Sequence, residues 1–206
     1  TPFREGALDV ASLRRLVAHY ARLPVDGFVL AATTGEGMSL DDDEALLLAE
    51  TARAALDAVG REIPIYFGLS GSDTRKLVKA LERTAAWGVD GYLIPCPYYT
   101  RPSQAGMFAH FSALADATAR PIMLYNIPYR TGVNLGNDAM LELAGLDNIV
   151  GVKDCCADSA QTFDLLRRRP PGFSVLTGED AFFHTALANG ADGGILASAH
   201  VLTGRF

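Results

Sequence analysis

Residues 122–154 read IMLYNIPYRTGVNLGNDAMLELAGLDNIVGVKD, and this stretch decides the fold. Residues 122–126 and 149–153 are short, continuously apolar runs, and residues 138–144 between them fit a short amphipathic helix. A strand that is apolar at every position is typical of a parallel sheet whose two faces are both covered. In a strand with one solvent-exposed face, apolar and polar residues alternate. The stretch therefore predicts a strand–helix–strand unit whose two strands are parallel.

The same unit repeats along the chain. Further apolar runs of strand length occupy residues 27–32, 63–68, 91–95, 174–177 and 193–197. Segments of helical period occupy residues 8–23, 42–59, 73–87, 103–119, 159–169 and 180–188. Alternating strands and helices with short connections indicate an α/β fold, and no proline- or serine-rich linker divides it. We predict one domain over residues 1–206.

Two α/β architectures fit this alternation, an open doubly wound sheet and a closed barrel. An open sheet that binds a nucleotide usually carries a glycine fingerprint, and neither G-x-G-x-x-G nor G-x-x-x-x-G-K-[ST] occurs here. Polar residues instead follow several strands just past their carboxyl ends, at 33–36, 98–99, 125–126, 153–154 and 178–179. A (β/α)₈ TIM barrel builds its active site from such positions, so we predict that barrel.

Composition argues against several classes of protein. The 206 residues carry a formal net charge of −6, which argues against binding to nucleic acid or to an anionic membrane. Three cysteines are too few for a disulfide framework or a zinc site, and no apolar run reaches membrane-spanning length. The acidic residues 41–44 open a predicted helix, where negative charge is favourable without a metal. We expect a cytoplasmic protein that binds no metal. We also expect His19, His110 and His184 to lie on the outer surfaces of their helices.

Lys153 is the strongest candidate for chemistry. It is one of three lysines, and it ends a predicted buried strand. A lysine there loses hydration, which lowers its pKa and frees the amine as a nucleophile toward carbonyl groups. The local pattern leaves a second interpretation open, in which Lys153 reaches solvent or pairs with Asp154.

Residues after other strands suit a small carboxylic acid. Thr33, Thr34 and the following Gly35 offer hydroxyl and backbone N–H donors to a carboxylate. Tyr125 can transfer protons at a barrel rim, and Arg130 can bind a carboxylate through two hydrogen bonds. Each segment taken alone is also typical of an ordinary turn or of a side chain packed in the core. A binding site is favoured because all of them are expected at the same end of the barrel.

Short motifs follow one another along the chain at residues 1–3 (TPF), 33–36 (TTGE), 97–99 (PYY), 125–128 (YNIP), 151–154 (GVKD), 177–180 (TGED) and 190–195 (GADGGI). Together they resemble the dihydrodipicolinate synthase / N-acetylneuraminate lyase family. The resemblance implies a (β/α)₈ barrel and a class I aldolase. Such an enzyme forms a Schiff base between a lysine and pyruvate and needs no metal or organic cofactor.

The resemblance also implies catalytic roles for individual residues. Lys153 would form the Schiff base, and Tyr125 would transfer protons. Thr33 would connect Tyr125 to Tyr99 in a hydroxyl relay. Tyr99 would be supplied to the site of a neighbouring subunit in a homodimer or a dimer of dimers.

Substrate-binding roles follow from the same resemblance. Thr33 and Thr34 would hold the pyruvate carboxylate, and Gly178 and Ile195 would offer backbone contacts. Arg130 matches the arginine with which synthase members bind L-aspartate 4-semialdehyde. The implied reaction gives 4-hydroxy-tetrahydrodipicolinate in lysine biosynthesis. Two alternatives remain open: a lyase, aldolase or dehydratase acting on a 2-keto-3-deoxy sugar acid or N-acetylneuraminate, and a non-catalytic barrel that binds a keto acid.

The chain departs from the family pattern at several positions. Ala32 replaces a usual glycine, Gly37 a frequent serine, and Tyr129 a small residue. The positions that correspond to the allosteric lysine site of feedback-inhibited members are Gly37, Asp42, Ala45, Ser72, Lys76 and Tyr98, of which only Tyr98 keeps the pattern. Because a cation at Lys76 repels the ammonium group of lysine, we predict a protein that is insensitive to lysine.

The chain is shorter than a typical (β/α)₈ barrel. A (β/α)₈ barrel typically has about 250 residues, and the motif at residues 1–3 normally follows the first strand in this family. We therefore expect the first strand and the C-terminal helices of the barrel to lie outside this sequence.

Overall fold

A computed structural model describes all 206 residues of the chain, which begins with a short hairpin. Strands β1 (Phe3–Arg4) and β2 (Ala7–Leu8) pair antiparallel. Their connection, Glu5 and Gly6, has φ of 53° and 82°, the left-handed region that a two-residue hairpin turn requires. The hairpin was not predicted, because strands of two residues leave no periodicity.

Seven parallel strands form the main sheet and alternate with helices. The strands are β3 (Phe28–Leu30), β4 (Ile65–Gly68), β5 (Gly91–Pro95), β6 (Ile122–Asn126), β7 (Ile149–Asp154), β8 (Ser174–Thr177) and β9 (Gly193–Gly194). The α-helices are α1 (Val10–Tyr20), α2 (Asp42–Ala58), α3 (Thr74–Thr84), α4 (Gln104–Asp116), α5 (Pro128–Thr131), α6 (Asn137–Leu143), α7 (Ser159–Arg168), α8 (Phe183–Ala188) and α9 (Ala199–Leu202). None of these helices has the length and apolar character needed to cross a membrane.

The sheet curls into a barrel-like cylinder. Its strands pair in chain order from β3 to β9, each parallel to the next. Val29 on β3 and Ile195 just after β9 pack against the same inner cluster of five buried residues. In a flat sheet these two strands would lie about 29 Å apart, at about 4.8 Å per step. A larger core of 36 buried residues includes side chains from both the strands and the helices.

The cylinder is open between its two outermost strands. Strands β3 and β9 each have one unpaired edge, and the sheet has seven strands. A complete (β/α)₈ barrel closes through an eighth strand. The predicted parallel α/β barrel architecture is therefore present with seven of its eight strands in this chain.

Predicted strands and helices agree with the observed ones to within three residues at each end. Helix ends differ because capping side chains fix them more sharply than periodicity does. The N-cap residues that accept first-turn N–H groups are Asp9, Asp41, Asp73, Ser103 and Asp158. Asp41 and Glu44 form a complete capping box at α2, which accounts for the acidic run without a metal.

Two short helices were missed, and one predicted strand is shorter than expected. Residues 193–197 were predicted as a strand, but only Gly193 and Gly194 belong to the sheet. The chain then turns, and the Ser198 N–H donates to Asp180 Oδ1 at 3.0 Å. Helices α5 and α9 have four residues each, too few for a helical period to be visible in sequence.

The expected surface position of His110 was wrong. Its side chain lies on α4 and is 4% exposed. The ring nitrogen Nδ1 is 2.8 Å from the Thr74 hydroxyl at the start of α3, and this hydrogen bond makes burial of the ring tolerable. Burial lowers the pKa of His110 to about 4, so the ring is neutral at neutral pH.

Candidate active site

Lys153 lies near the carboxyl end of β7 with only 8% of its surface exposed. Its Nζ is 4.4 Å from the centroid of the Tyr125 ring, which stands beside it on β6. Burial lowers the pKa of Lys153, and the negative charges of Glu179 and Asp180 act in the opposite direction. Lys153 forms no ion pair with Asp154, whose two oxygens accept hydrogen bonds from other groups. The structure thus supports the interpretation of a buried amine.

Gly178 provides the space that the Lys153 side chain occupies. It directly follows β8, the strand on the other side of β7. A Cβ at Gly178 would lie 2.5 Å from Cε of Lys153 and would overlap Sγ of Cys155. A glycine at this position is therefore a packing requirement of the lysine next to it.

Tyr125 is the second buried polar group at this place, with 5% of its surface exposed. Burial raises its pKa well above the ordinary value for a tyrosine. The Thr33 hydroxyl lies close enough to offset part of this shift. Tyr125 therefore carries its proton at neutral pH, and the predicted pair of Thr33 and Tyr125 is brought together.

A buried hydrogen-bond network fixes the ends of β6 and β7. Asn126 and Asp154, the residues after Tyr125 and Lys153, are register partners, and Asn126 Nδ2 donates to Asp154 Oδ1 at 3.3 Å. Asn126 Oδ1 accepts from the Leu135 N–H at 3.1 Å, and Asp154 Oδ2 accepts from the Thr162 hydroxyl at 2.7 Å.

Asn126 and Asp154 were predicted to lie at strand ends, but neither had a predicted role of its own. The available signal was their place in the sequence, because each directly follows a candidate residue on one of two neighbouring parallel strands. Their network orients the last residues of both strands, which includes the two candidates.

Thr33 and Thr34 lie on an exposed loop after β3. The loop is tight: Ala31 has φ of 54°, and a Cβ at Gly37 would overlap the Ala31 carbonyl. This close approach leaves no room for a side chain at position 37 in this chain. The loop places Thr33 and Thr34 after the carboxyl end of β3, and their role in holding a carboxylate stays a prediction.

Tyr129, Arg130 and Glu179 form a polar group outside the buried pair. Helix α5 carries Tyr129 and Arg130, and the Arg130 Cζ is 5.7 Å from the centroid of the Tyr129 ring. Tyr129 Oη donates to Glu179 Oε1 at 2.8 Å. The positive charge of Arg130 contributes to the lowered pKa of Lys153, so the predicted carboxylate-binding side chain lies in the same electrostatic environment. Glu179 belongs to the TGED motif but had no predicted role.

The family model described as the dihydrodipicolinate synthetase family matches residues 1–206. The chain belongs to this family. Over 206 residues it is 46% identical to 4-hydroxy-tetrahydrodipicolinate synthase 2 of Clostridium acetobutylicum, covering 100% of this chain and 71% of that protein. The predicted resemblance is thereby confirmed over the whole chain.

Solved structures of dihydrodipicolinate synthases share the fold. The Aquifex aeolicus protein has a TM-score of 0.93 and 32% identity, covering 99% of this chain and 69% of that one. The chloride-inhibited Acinetobacter baumannii protein, described as a complex with pyruvate, has a TM-score of 0.92 and 31% identity, covering 98% and 68%. These similarities confirm the predicted TIM-barrel fold of this dihydrodipicolinate synthetase family member.

Tyr99 is the predicted site residue that this synthetase family chain does not bring to Lys153. Its side chain is 91% exposed, and its backbone has φ of 67°. The conformation is held by a hydrogen bond from the Tyr99 N–H to the Thr131 carbonyl at 3.4 Å. Tyr99 therefore projects away from its own chain, and its contribution to a neighbouring subunit stays a prediction.

Gly178 and Ile195 have their N–H groups engaged within the sheet. The Gly178 N–H donates to the Asp154 carbonyl at 2.9 Å, and the Ile195 N–H donates to the Thr177 carbonyl at 2.9 Å. A substrate could use only the carbonyl side of these two residues. In the predicted backbone contacts, Gly178 and Ile195 can therefore only accept hydrogen bonds from a substrate through their carbonyl groups.

A cavity of about 270 Å³ lies at four of the six predicted allosteric positions, and Ser72 and Lys76 are not among its lining residues. It is lined by, among others, Gly37, Asp42, Ala45 and Tyr98. Asp42 forms an ion pair with Arg83 at 2.8 Å, and the Ser72 hydroxyl donates to the Tyr98 carbonyl at 2.5 Å. Two polar groups that could bind the ammonium group of lysine are thus engaged within the chain. Insensitivity to lysine stays a prediction.

The cysteines and the metal-ligating residue types form no centre of their own. Cys96, Cys155 and Cys156 are free thiols. Burial raises the pKa of Cys155, which neighbours Lys153, to about 12, so this thiol is uncharged. No group of three or more His, Cys, Asp or Glu side chains is arranged to hold a metal ion.

Proposed function

We propose that the chain carries a class I aldolase site that condenses pyruvate with L-aspartate 4-semialdehyde to give 4-hydroxy-tetrahydrodipicolinate, a step of lysine biosynthesis. The observation that carries this proposal is the buried amine of Lys153, 4.4 Å from the Tyr125 ring centroid and with a lowered pKa. Family membership and the name of the Clostridium acetobutylicum relative support the choice of substrates.

The first stage is imine formation at Lys153. The unprotonated Nζ attacks the keto carbon of pyruvate, and the carbinolamine loses water to give an imine. Tyr125, which keeps its proton at neutral pH, donates to the departing oxygen. Thr33 and Thr34 hold the pyruvate carboxylate through hydroxyl and backbone donors. The imine is the electron sink of the reaction, so the proposed chemistry needs no metal or organic cofactor.

The second stage forms the carbon–carbon bond. Loss of a methyl proton from the imine gives an enamine, whose carbon attacks the aldehyde of the second substrate. Arg130 binds the carboxylate of that substrate. The amine of the semialdehyde then attacks the imine carbon, which closes the ring and releases the Lys153 amine.

A second subunit completes the proposed site. Tyr99 joins the hydroxyl relay of a neighbouring copy through Thr33, which requires a homodimer or a dimer of dimers. Residues 1–206 act as one catalytic domain, since the proposed site residues range from Thr33 to Ile195. Free thiols fit the reducing cytoplasm in which we place the protein.

Borohydride trapping tests the proposal. The full-length protein is incubated with pyruvate, reduced with borohydride and examined by intact mass and peptide mapping. We expect one reduced pyruvate adduct, located on Lys153. Lys153→Ala should form none, and Lys79→Ala, a control at an exposed lysine of α3, should react like the parent. Absence of an adduct on Lys153 in the folded parent protein would overturn the proposal.

A further inference from the structure

Tyr129 and Glu179 form a crossbar between two strand ends. Tyr129 lies on α5, just after β6, and Glu179 lies just after β8. The hydrogen bond from Tyr129 Oη to Glu179 Oε1 is 2.8 Å. Burial and the Glu179 carboxylate raise the pKa of Tyr129 to about 12, so its hydroxyl remains a donor at neutral pH.

The crossbar spans the end of β7, where Lys153 lies. The strand order is β6, β7, β8, so a side-chain contact between the segments after β6 and β8 bridges the segment of β7. Electrostatics agrees with this placement, because Glu179 and Arg130 both alter the pKa of Lys153. Glu179, one end of the crossbar, and Arg130, which follows the other end in the chain, therefore both lie within electrostatic range of the amine.

Both ends of the crossbar are held by the backbone around them. Helix α5 is closed by the Thr131 hydroxyl, which donates to the Ile127 carbonyl at 3.1 Å. The Glu179 N–H donates to the Thr177 hydroxyl at 3.2 Å. Tyr129 itself is 63% exposed, so its ring forms part of the outer wall of the site and not of the core.

The ring of Tyr129 also lies beside the Arg130 guanidinium, with 5.7 Å between Cζ and the ring centroid. Arg130 is the proposed binding group for the acceptor carboxylate, and Lys153 is the proposed carrier of the enamine. The Tyr129 ring therefore stands beside one end of the span that the carbon chain of an acceptor must cover.

We propose that the Tyr129–Glu179 crossbar sets the length of the acceptor aldehyde, selecting a short carboxylate-bearing aldehyde and excluding longer ones. The inference rests on the proposed function, because it assigns a specificity role at the same site. Tyr129 is on this view a specificity-determining residue, and Glu179 is the positioning residue that holds its ring.

A homologous series of acceptors tests the crossbar in the full-length protein. Pyruvate is supplied with succinic, glutaric or adipic semialdehyde, which carry four, five and six carbons and one carboxylate each. Borohydride then reduces the imine on Lys153, and intact mass separates the pyruvate adduct from the condensed adduct. This single-turnover measurement is independent of product release.

We expect the parent to condense the four-carbon acceptor at least about tenfold faster than the six-carbon one. Tyr129→Ser should lower this ratio by about tenfold, and Tyr129→Phe, which keeps the ring but loses the bond to Glu179, should lower it by less. Tyr20→Phe is the matched control, since Tyr20 Oη donates to the His200 carbonyl at 2.8 Å outside the site. Its ratio should equal that of the parent.

The outcomes separate the two proposals. If all variants form the pyruvate adduct and the acceptor ratio of Tyr129→Ser equals that of the parent, the crossbar proposal is wrong and the proposed function stands. If the folded parent forms no pyruvate adduct, both are wrong. Thermal unfolding of each variant verifies that the comparison is made on folded protein.

Discussion

At the scale of single residues, the reactivity proposed for Lys153 depends on what its neighbours lack. Gly178 lacks a side chain where one would collide with Cε of Lys153. Asp154 lacks a free oxygen, because Thr162 and Asn126 donate to it. Without an ion pair to Asp154, the buried amine stays desolvated beside Tyr125, and its pKa is lowered.

Gly178→Ala should therefore impair the amine more than it impairs the fold. The new Cβ would lie 2.5 Å from Lys153 Cε, so the lysine side chain must shift. We expect pyruvate trapping to slow by at least about tenfold, and unfolding free energy to fall by about 1–3 kcal/mol. The measurements are the trapping rate and urea unfolding.

Gly204→Ala is the matched control, because no atom lies within 4 Å of the Cβ that it would gain. It should trap pyruvate at the parental rate. Parental trapping by Gly178→Ala would contradict the explanation of Gly178 as the residue that makes room for the lysine.

At the scale of elements, a hydrogen bond between Thr74 and the buried His110 connects α3 and α4. Thr74 and His110 share a hydrogen bond of 2.8 Å, while Nε2 of His110 has no partner. A charged imidazolium would be poorly solvated there, which explains the lowered pKa. The sequence shows a histidine in an amphipathic helix, but only the packing of α3 against α4 makes it a buried group.

This pair predicts a loss of stability in acid. The unfolded chain binds a proton at His110 near pH 6.5, whereas the folded chain does so only near pH 4, so unfolding gains protons between these values. Stability contributed by neutral His110 is therefore present above pH 6.5 and is lost as the pH falls toward 4. Urea unfolding over this range measures the slope.

His110→Asn should flatten that slope, because its amide can still pair with the Thr74 hydroxyl but does not titrate. At neutral pH the variant should be less stable than the parent, since the smaller side chain leaves a cavity. His184→Asn, at an exposed position of α8, is the control and should keep the parental slope. An unchanged slope in His110→Asn would show that other groups cause the acid sensitivity.

At the scale of the whole molecule, one proposed catalytic group points away from its own site. Tyr99 is 91% exposed and has a positive φ. Lys153 and Tyr125, by contrast, are neighbours within one chain, and the Thr33 hydroxyl lies close to Tyr125. An aromatic side chain presented in this way can serve a symmetric partner, because a two-fold interface repeats the contribution in both directions.

Mixing two impaired variants tests whether Tyr99 acts in the site of the partner subunit. Lys153→Ala should be inactive, and Tyr99→Phe should lose about 100-fold in activity because it lacks the relay hydroxyl. In a mixed dimer, one site would then contain both native residues. Random reassociation of equal amounts should restore about a quarter of the parental activity. If activity does not rise on mixing, Tyr99 acts within its own chain or not at all.

Much of this protein follows from the sequence by itself. Continuous apolar runs such as residues 122–126 and 149–153 predicted parallel strands, because burial on both faces leaves no polar alternation. The same pattern placed Tyr125 and Lys153 at strand ends, and parallel strands bring such ends to one edge of a sheet. Motif resemblance then indicated the family and the chemistry of the candidate residues.

Only the tertiary structure decided the contacts that depend on distance across the fold. The crossbar between Tyr129 and Glu179 joins residues 50 positions apart, and its existence depends on how the segments after β6 and β8 approach. Burial of His110 and the need for Gly178 likewise arise from neighbours on other elements. Periodicity records which face of an element is apolar, but it contains no information on which side chain of another element will meet it. That physical limit is why the sequence specified the strands and the candidate lysine, and the packing specified the space around them.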